Sequence, residues 1–576
     1  MFDFSSLFIN IYAMKYLFLL CVFIFLLISC QQQKEENPQD SYTPEIVISD
    51  SFHAARIGEI TFMSDYVSID DYNDSHFIKS LDVPIDNSDN VNLTIRAYFD
   101  NSLTNYLRGL DTTRSISELV ENGNYQFSFY VDDKKIYTED LNVGAGSAAS
   151  KNRNTSLCIP LYSKDKIDSW GRFMWSRFLM RNGGEEALSA GRHKLEIEIR
   201  PYLEIDKKIV GKIMAKGNIV INMVSDVIEM DEKMIAVQQI GPNTDWKVEP
   251  SLLSEKLIKE LNSKVVINKF KEVTSISVLK DNKLIIEEYF NGANRKTLHD
   301  TRSVGKSITS TLIGIAIEKG YLKHIDQKIS AFYDLRSFEN YSEEKANITL
   351  RDLLTMTSVF DGSDGESNSM GAEDNIQQTK DWMRATLNLD VDRGKVNMRR
   401  WDYFTAGTLI LGDILNAVTP KGLEVFANEN LFSPLGISKY KWFHTPNGLP
   451  YGGGGLQLSS LSLLKIGSLY ANNGFWKGEL VLSKEWVKQS FSNQIVMPKN
   501  RGGAYGYLWY SDTFLSGDQS YEISYASGNG GNYIFIVDDL DLVIVITAQA
   551  YNTMEGAVQG RKMVEKYIIP SIINLK

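Results

Sequence analysis

The chain has 576 residues, with 61 Lys and Arg against 72 Asp and Glu, for a formal net charge of −11. Its 43% hydrophobic and 23% charged content is that of a globular protein, so a mainly disordered chain is excluded. The length allows roughly two to four domains. The acidic balance excludes a general nucleic-acid binder, which needs a basic face for phosphates. Three cysteines are too few for a disulfide scaffold or a Cys-rich zinc module.

Tyr16 to Ser29 (YLFLLCVFIFLLIS) is an unbroken apolar run preceded by Lys15. It is shorter than the about 20 residues of a membrane span and has the length of a signal-peptide core. Leu27-Ile28-Ser29-Cys30 resembles the lipobox of bacterial lipoproteins, where the signal is cut before a cysteine that then carries lipid. That resemblance implies a signal peptide over 1–30, acylation at Cys30, and a lipid-anchored place in the bacterial cell envelope, periplasmic or on the outer-membrane surface. Cys21 would then be discarded, leaving Cys158 as the free thiol. An uncleaved signal anchor is the alternative. Met14-Lys15 could itself begin an ordinary signal. Residues 31–44, opening with Gln31-Gln32-Gln33-Lys34-Glu35-Glu36, carry no periodicity and read as a flexible tether.

From 45 to 232 the pattern alternates with period two, as strands with one buried face do. Val91, Leu93, Ile95, Ala97 and Phe99 form one such set, and Tyr125, Phe127, Phe129 and Val131 a second, leading into Asp132-Asp133-Lys134-Lys135. His193 to Arg200 alternates most cleanly, and Ile219, Ile221 and Met223 close the series. These features predict an all-β sandwich, a fold that assigns no function by itself. Trp170, Phe173, Trp175 and Phe178 break the pattern; they could stack on a glycan such as peptidoglycan, or pack inside the domain. A linker over 233–244 separates this region from a mixed α/β domain over 245–576.

Within that domain, 251–262 reads as an amphipathic helix. A hairpin follows, with Asp281-Asn282 at its turn. A second helix spans 304–319, with Ile308, Leu312, Ile315 and Ala316 on one stripe and Gly320 as its cap. Tyr533–Val537 and Leu542–Ala548 read as strands around Asp538-Asp539, and a terminal helix starts near Met554. The expected architecture is an antiparallel sheet with helices before, within and after it.

Ser303-Val304-Gly305-Lys306 opens the second helix. Positions i and i+3 share a helix face, so the Lys306 amine can reach the Ser303 hydroxyl. An uncharged amine can remove the proton that makes serine a poor nucleophile, and a helix start favours a developing oxyanion. Alone, the spacing is weak, because Ser163-Lys164-Asp165-Lys166 and Ser462-Leu463-Leu464-Lys465 share it. Gly305-Lys306-Ser307 is not the end of a phosphate loop, since Asp300 stands at the first required glycine. The Gly-x-Ser-x-Gly of an α/β-hydrolase elbow is also not satisfied around Ser303.

Order along the chain strengthens the signal. Tyr403-Phe404-Thr405 lies one hundred residues after Ser303, ahead of Leu411-Gly412, and Ala526-Ser527-Gly528-Asn529-Gly530-Gly531 follows at a similar interval. With LIIEEY (284–289), LRDLLT (350–355), LFSPLGI (431–437) and GGGGLQLS (452–459), these motifs resemble the serine β-lactamase-related family. That family includes class C β-lactamases, DD-peptidases, esterases and 6-aminohexanoate-dimer hydrolases. The resemblance covers about residue 245 to the C-terminus. It implies Ser303 as the nucleophile of an acyl-enzyme, Lys306 and Tyr403 as a shared proton-transfer pair, and an oxyanion site made by the backbone N–H groups of Ser303 and Asn529. Thr405, Trp401, Ala526, Ser527, Gly528 and Trp509 are implied around the substrate, with no cofactor and no metal. Trp401, Trp509 and Tyr510 could instead be packing residues, and Gly452–Gly455 could line the cleft or permit close packing.

Two departures stand out. Ala526 occupies the position of a Lys or His, which favours esterase or amidase chemistry over carboxylate-bearing β-lactams and stem peptides. Thr405 replaces Asn or Ser. The expected activity is cleavage of a small-molecule or peptide-like ester or amide. A penicillin-binding or β-lactamase-like enzyme, or a catalytically silent envelope-binding lipoprotein, is the alternative. The loop Asp361-Gly362-Ser363-Asp364-Gly365-Glu366 reads as a solvated cleft rim.

Overall fold

Alternation in the first half of the chain becomes sheet, but sheet interleaved with helices. The computed structural model describes residues 46–573 except 65–66, 68–72, 85–90, 142–146, 163–169, 225–230, 243–244, 366–368 and 499–501. The expected signal, tether and lipid-bearing Cys30 lie outside the described residues, as does Ser163-Lys164-Asp165-Lys166. The chain divides into two compact units, Met1–Asp226 and Val227–Lys576. Among the described residues no helix is long and apolar enough to cross a membrane.

In the first unit, Ser80–Pro84, Ala215–Val224, Gly191–Glu204, Gly123–Val131 and Lys134–Asp140 lie side by side, with Lys208–Val210 added to Gly191–Glu204. Asp132 and Asp133 turn one hairpin with φ of +50° and +63°; short polar side chains tolerate this left-handed region. A smaller sheet orders Ile60–Met63, Leu93–Tyr98 and Ser156–Tyr162. Leu93–Tyr98 is buried on both faces, which is why its alternation is imperfect. The all-β expectation is corrected by helices at Leu103–Leu110, Ile116–Asn122, Ala148–Arg153 and Trp170–Arg181. The second of these has a legible start, since Ser115 and Glu118 form a capping box. Trp175 and Phe178 are buried against Phe129, with ring centroids at 5.9 Å and 4.9 Å. These two residues are packing residues, and no glycan can stack on them.

The second unit is built on a nine-stranded sheet. Five strands matter here: β1 (Val273–Lys280), β2 (Lys283–Tyr289), β3 (Gln519–Gly528), β4 (Asn532–Val537) and β5 (Leu542–Ala548), in the spatial order β2-β1-β5-β4-β3. All neighbouring pairs in this set are antiparallel. The expected turn Asp281-Asn282 is present, with φ of +51° and +55°.

Helix α1 (Val304–Glu318) is buried continuously from Val304 to Ala316. It is therefore a central helix, buried all round, and the single stripe read from the sequence understates its contacts. Gly320 ends it at φ +78°. Helix α2 (Thr405–Val418) packs near it, and α3 (Ser460–Ala471) lies on the sheet, where a Cβ on Gly467 would meet Val543 and Ile534 at 2.5 and 2.8 Å. The helix expected over 251–262 is Glu255–Val266, about one turn later, because Pro250–Leu252 takes a separate short 3-10 turn. The terminal helix begins at Met554.

Candidate active site

His299–Asp300 pairs with Leu456–Leu458, and the Thr301 N–H and hydroxyl both donate to Leu456 O, at 3.0 and 2.7 Å. The chain must then turn sharply into α1. Arg302 makes the turn at φ +47°, a conformation unfavourable for a non-glycine residue. It is held by its N–H on Asp300 Oδ1 at 3.0 Å, by Nε near Asp300 Oδ2 at 3.1 Å, and by its guanidinium over Tyr551 at 4.5 Å. Ser303 follows at the N-cap, yet its hydroxyl does not cap the helix. That leaves Oγ available for chemistry.

One turn along, Lys306 is 2% exposed. Its Nζ lies 2.8 Å from Ser303 Oγ and donates to Gly453 O at 2.8 Å. It sits 5.2 Å from the centre of the Tyr403 ring. Burial pushes the Lys306 ammonium below the usual lysine range, with Glu373 and Asp364 pulling it partly back. An amine able to lose its proton beside a serine hydroxyl is what acyl transfer requires.

Gly452–Gly455 settle between the two alternatives as close packing with one polar contribution. A Cβ on Gly452 would meet Thr408 O at 2.8 Å and Gly412 Cα at 2.9 Å, and one on Gly453 would meet Tyr451 and Thr405 side chains at 2.7 and 2.8 Å. Only glycine lets this backbone come close enough for Gly453 O to receive Lys306.

Strand β3 delivers the other wall. Ala526 is 1% exposed, inside the core, and Ser527 is partly buried. Gly528 lies against the elbow, where a Cβ would meet Thr301 O at 2.4 Å and Ser303 N at 3.1 Å. Asn529 follows in the turn, its side chain joined to Asn552 by bonds of 2.6 and 2.8 Å and its carbonyl receiving Asn532 Nδ2 at 3.0 Å. Among the described residues, neither the Ser303 nor the Asn529 backbone N–H has a protein acceptor. One donor is thus on the elbow and the other follows Gly528, which packs against that elbow.

Other expected residues are placed differently. Trp509 is fully buried against Tyr470 and Phe491, at 4.5 and 5.3 Å; it is core and not a substrate wall, because its indole is consumed by packing. Thr405 is 1% exposed and contributes its N–H to Asp364 Oδ2 at 2.8 Å, so it is not a substrate contact. Trp401 is largely buried between Tyr403 and Tyr505, at 6.1 and 5.8 Å. Tyr510 is partly buried on Tyr525 at 5.1 Å. Ser462 and Lys465 lie on α3, where Lys465 pairs with Asp245 at 2.6 Å.

Asp364, read from sequence as part of a solvated rim, is instead largely enclosed. Its carboxylate accepts the N–H groups of Thr405 and Glu373, each at 2.8 Å, and burial pushes it above the usual carboxylate range. No local signal reveals this role, because its partners lie nine and forty-one residues away. Tyr451, which donates to Glu373 Oε1 at 2.6 Å, also escapes sequence reasoning.

An antiparallel sheet with a buried helix carrying Ser-x-x-Lys and a facing tyrosine defines a serine-nucleophile class of protein. The profile of the beta-lactamase family matches residues 271–566, and the chain belongs to that family. No functionally curated protein matches it. Solved structures that resemble it include a candidate 6-aminohexanoate-dimer hydrolase from Bacillus anthracis, 16% identical over 52% of this chain and 80% of that one, with a TM-score of 0.44. An octameric penicillin-binding protein homologue from Pyrococcus abyssi is 20% identical over 55% and 77%, at 0.44. A class C beta lactamase from Rhodobacter sphaeroides is 16% identical over 52% and 95%, at 0.38. At these identities no residue role is transferred from them.

Proposed function

We propose that this protein is a cell-envelope serine hydrolase that cleaves an ester or amide bond through an acyl-enzyme on Ser303. The observation that carries the reading is the 2.8 Å approach of a buried lysine amine to a serine hydroxyl, beside two unpaired N–H donors. Ser303 Oγ attacks the carbonyl carbon while its proton passes to the Lys306–Tyr403 pair. The carbonyl oxygen, now negative, takes the N–H groups of Ser303 and Asn529. Collapse expels the alcohol or amine, which receives a proton from the pair. Water then attacks the acyl-enzyme by the same route and releases the acid. The two bases act as a coupled pair, so the proton is not assigned to either.

Substrates without a carboxylate beside the reacting carbonyl fit best, since Ala526 offers no charge to hold one. Location rests on the lipobox-like Leu27-Ile28-Ser29-Cys30, and the first unit is proposed to contact glycan or peptidoglycan through a surface that excludes Trp175 and Phe178.

The test compares wild type with Ser303→Ala on a fluorophosphonate probe and on a panel of p-nitrophenyl esters, N-acyl amides, D-amino-acid dipeptides and β-lactams. The expected result is labelling and ester or amide turnover that Ser303→Ala abolishes. Labelling that persists in the variant removes Ser303 from the mechanism. Stable acylation by penicillin, or nitrocefin turnover, would move the protein to β-lactam chemistry.

A further inference from the structure

We propose that Asp364 is a positioning residue for Tyr403 and, with Glu373, the counter-charge of the Lys306–Tyr403 proton-transfer pair. The inference rests on the hydrolase reading above and adds two residues to it.

The clamp is visible in the backbone. The Asp364 N–H donates to Tyr403 O at 2.8 Å, and Asp364 Oδ2 accepts the Thr405 N–H at 2.8 Å. One residue therefore holds the chain at the Tyr403 carbonyl and again two residues later, bracing the backbone that carries the phenol ring over Lys306 Nζ. Its other oxygen accepts the backbone N–H of Glu373 at 2.8 Å, which ties the Asp364 carboxylate to the start of the segment that carries Glu373.

Glu373 is linked to the pair through Tyr451. Tyr451 OH donates to it at 2.6 Å, and the same tyrosine packs at Gly453, whose carbonyl receives Lys306. The remaining charges nearby are already committed. Asp402, just before Tyr403, pairs with Lys395 at 2.8 Å and accepts Ser363 Oγ at 2.7 Å. Arg302 pairs with Asp300 at 3.1 Å. Among the described residues, neither Asp364 nor Glu373 has a cationic partner of its own, and both oppose the effect of burial on Lys306.

The sign of the effect is fixed by electrostatics. Removing an anion from beside the pair makes the ammonium less favourable and the phenolate more so, so deprotonation moves to lower pH whichever group loses the proton. A residue that only braced the loop would lower the rate without moving the pH profile.

The experiment measures kcat/KM against pH for p-nitrophenyl butyrate with the full chain, its Asp364→Asn variant and its Glu373→Gln variant. The acid limb is expected to move down by about one pH unit in each variant. Asp364→Asn is also expected to lose about tenfold in kcat, more than Glu373→Gln, because it alone loosens the Tyr403 clamp. If Asp364→Asn does not fold, Asp364→Ser replaces it, and Glu373→Gln decides the charge effect independently. Acid limbs that superimpose on wild type overturn the proposal. A wild type that is neither labelled by fluorophosphonate nor active on any ester overturns the hydrolase reading itself.

Discussion

Lys306 and Lys395 are both almost completely buried, at 2% and 3% exposure, yet they sit in opposite surroundings. Lys395 has the Asp402 carboxylate at 2.8 Å and the carbonyls of Phe360 and Gly362 at 3.2 and 2.8 Å. Its charge is matched, and it stitches two loops together. Lys306 has one carbonyl and one serine hydroxyl within hydrogen-bond reach, with its carboxylates held further off. A buried ammonium without an adjacent anion is costly. Lys345, equally buried, rests on two carbonyls; Lys306 differs in having a serine hydroxyl as one of its two partners.

Replacing each lysine by methionine should separate the two roles. Lys306→Met is expected to reduce turnover by about 10³-fold or more while costing less stability than Lys395→Met, since no carboxylate lies in direct contact with Lys306 as Asp402 does with Lys395. Lys395→Met is expected to cost about 2–3 kcal/mol in urea unfolding, because it leaves Asp402 without its partner; partial exposure of Asp402 keeps the loss below that of a fully buried pair. A large stability loss in Lys306→Met would break the comparison. Gly528→Ala tests the oxyanion wall: its Cβ cannot fit between Thr301 O and Ser303 N, and a loss of about 10²–10³-fold in kcat is expected. The smallest effect belongs to Trp509→Phe, which should lower stability by about 1 kcal/mol and leave ester turnover within about twofold of wild type. A marked change in substrate preference would return Trp509 to the cleft.

The residues that sequence reasoning recovers are those whose chemistry is local. Ser303 and Lys306 are one helical turn apart, and Asp281-Asn282 and Gly320 advertise their turn and cap. Tyr403 was legible only through family resemblance, since nothing within a few residues marks it. Asp364 and Tyr451 were hidden because their partners are distant in sequence and converge only in the fold. Trp509 stays open between cleft and core in the sequence, because an aromatic near glycines looks the same in either place; the structure puts it in the core. In the first unit, alternation revealed the strands, while short helices such as Leu103–Leu110 were too brief to outweigh it.

The burial of α1 has a mechanical consequence. Nucleophile and base ride on one rod enclosed by the domain interior, so neither can drift while the interior stays packed. Heating should therefore extinguish catalysis at the same temperature as it melts the whole domain, with no earlier phase of gradual decline. Surface loops, by contrast, can change without disturbing that rod.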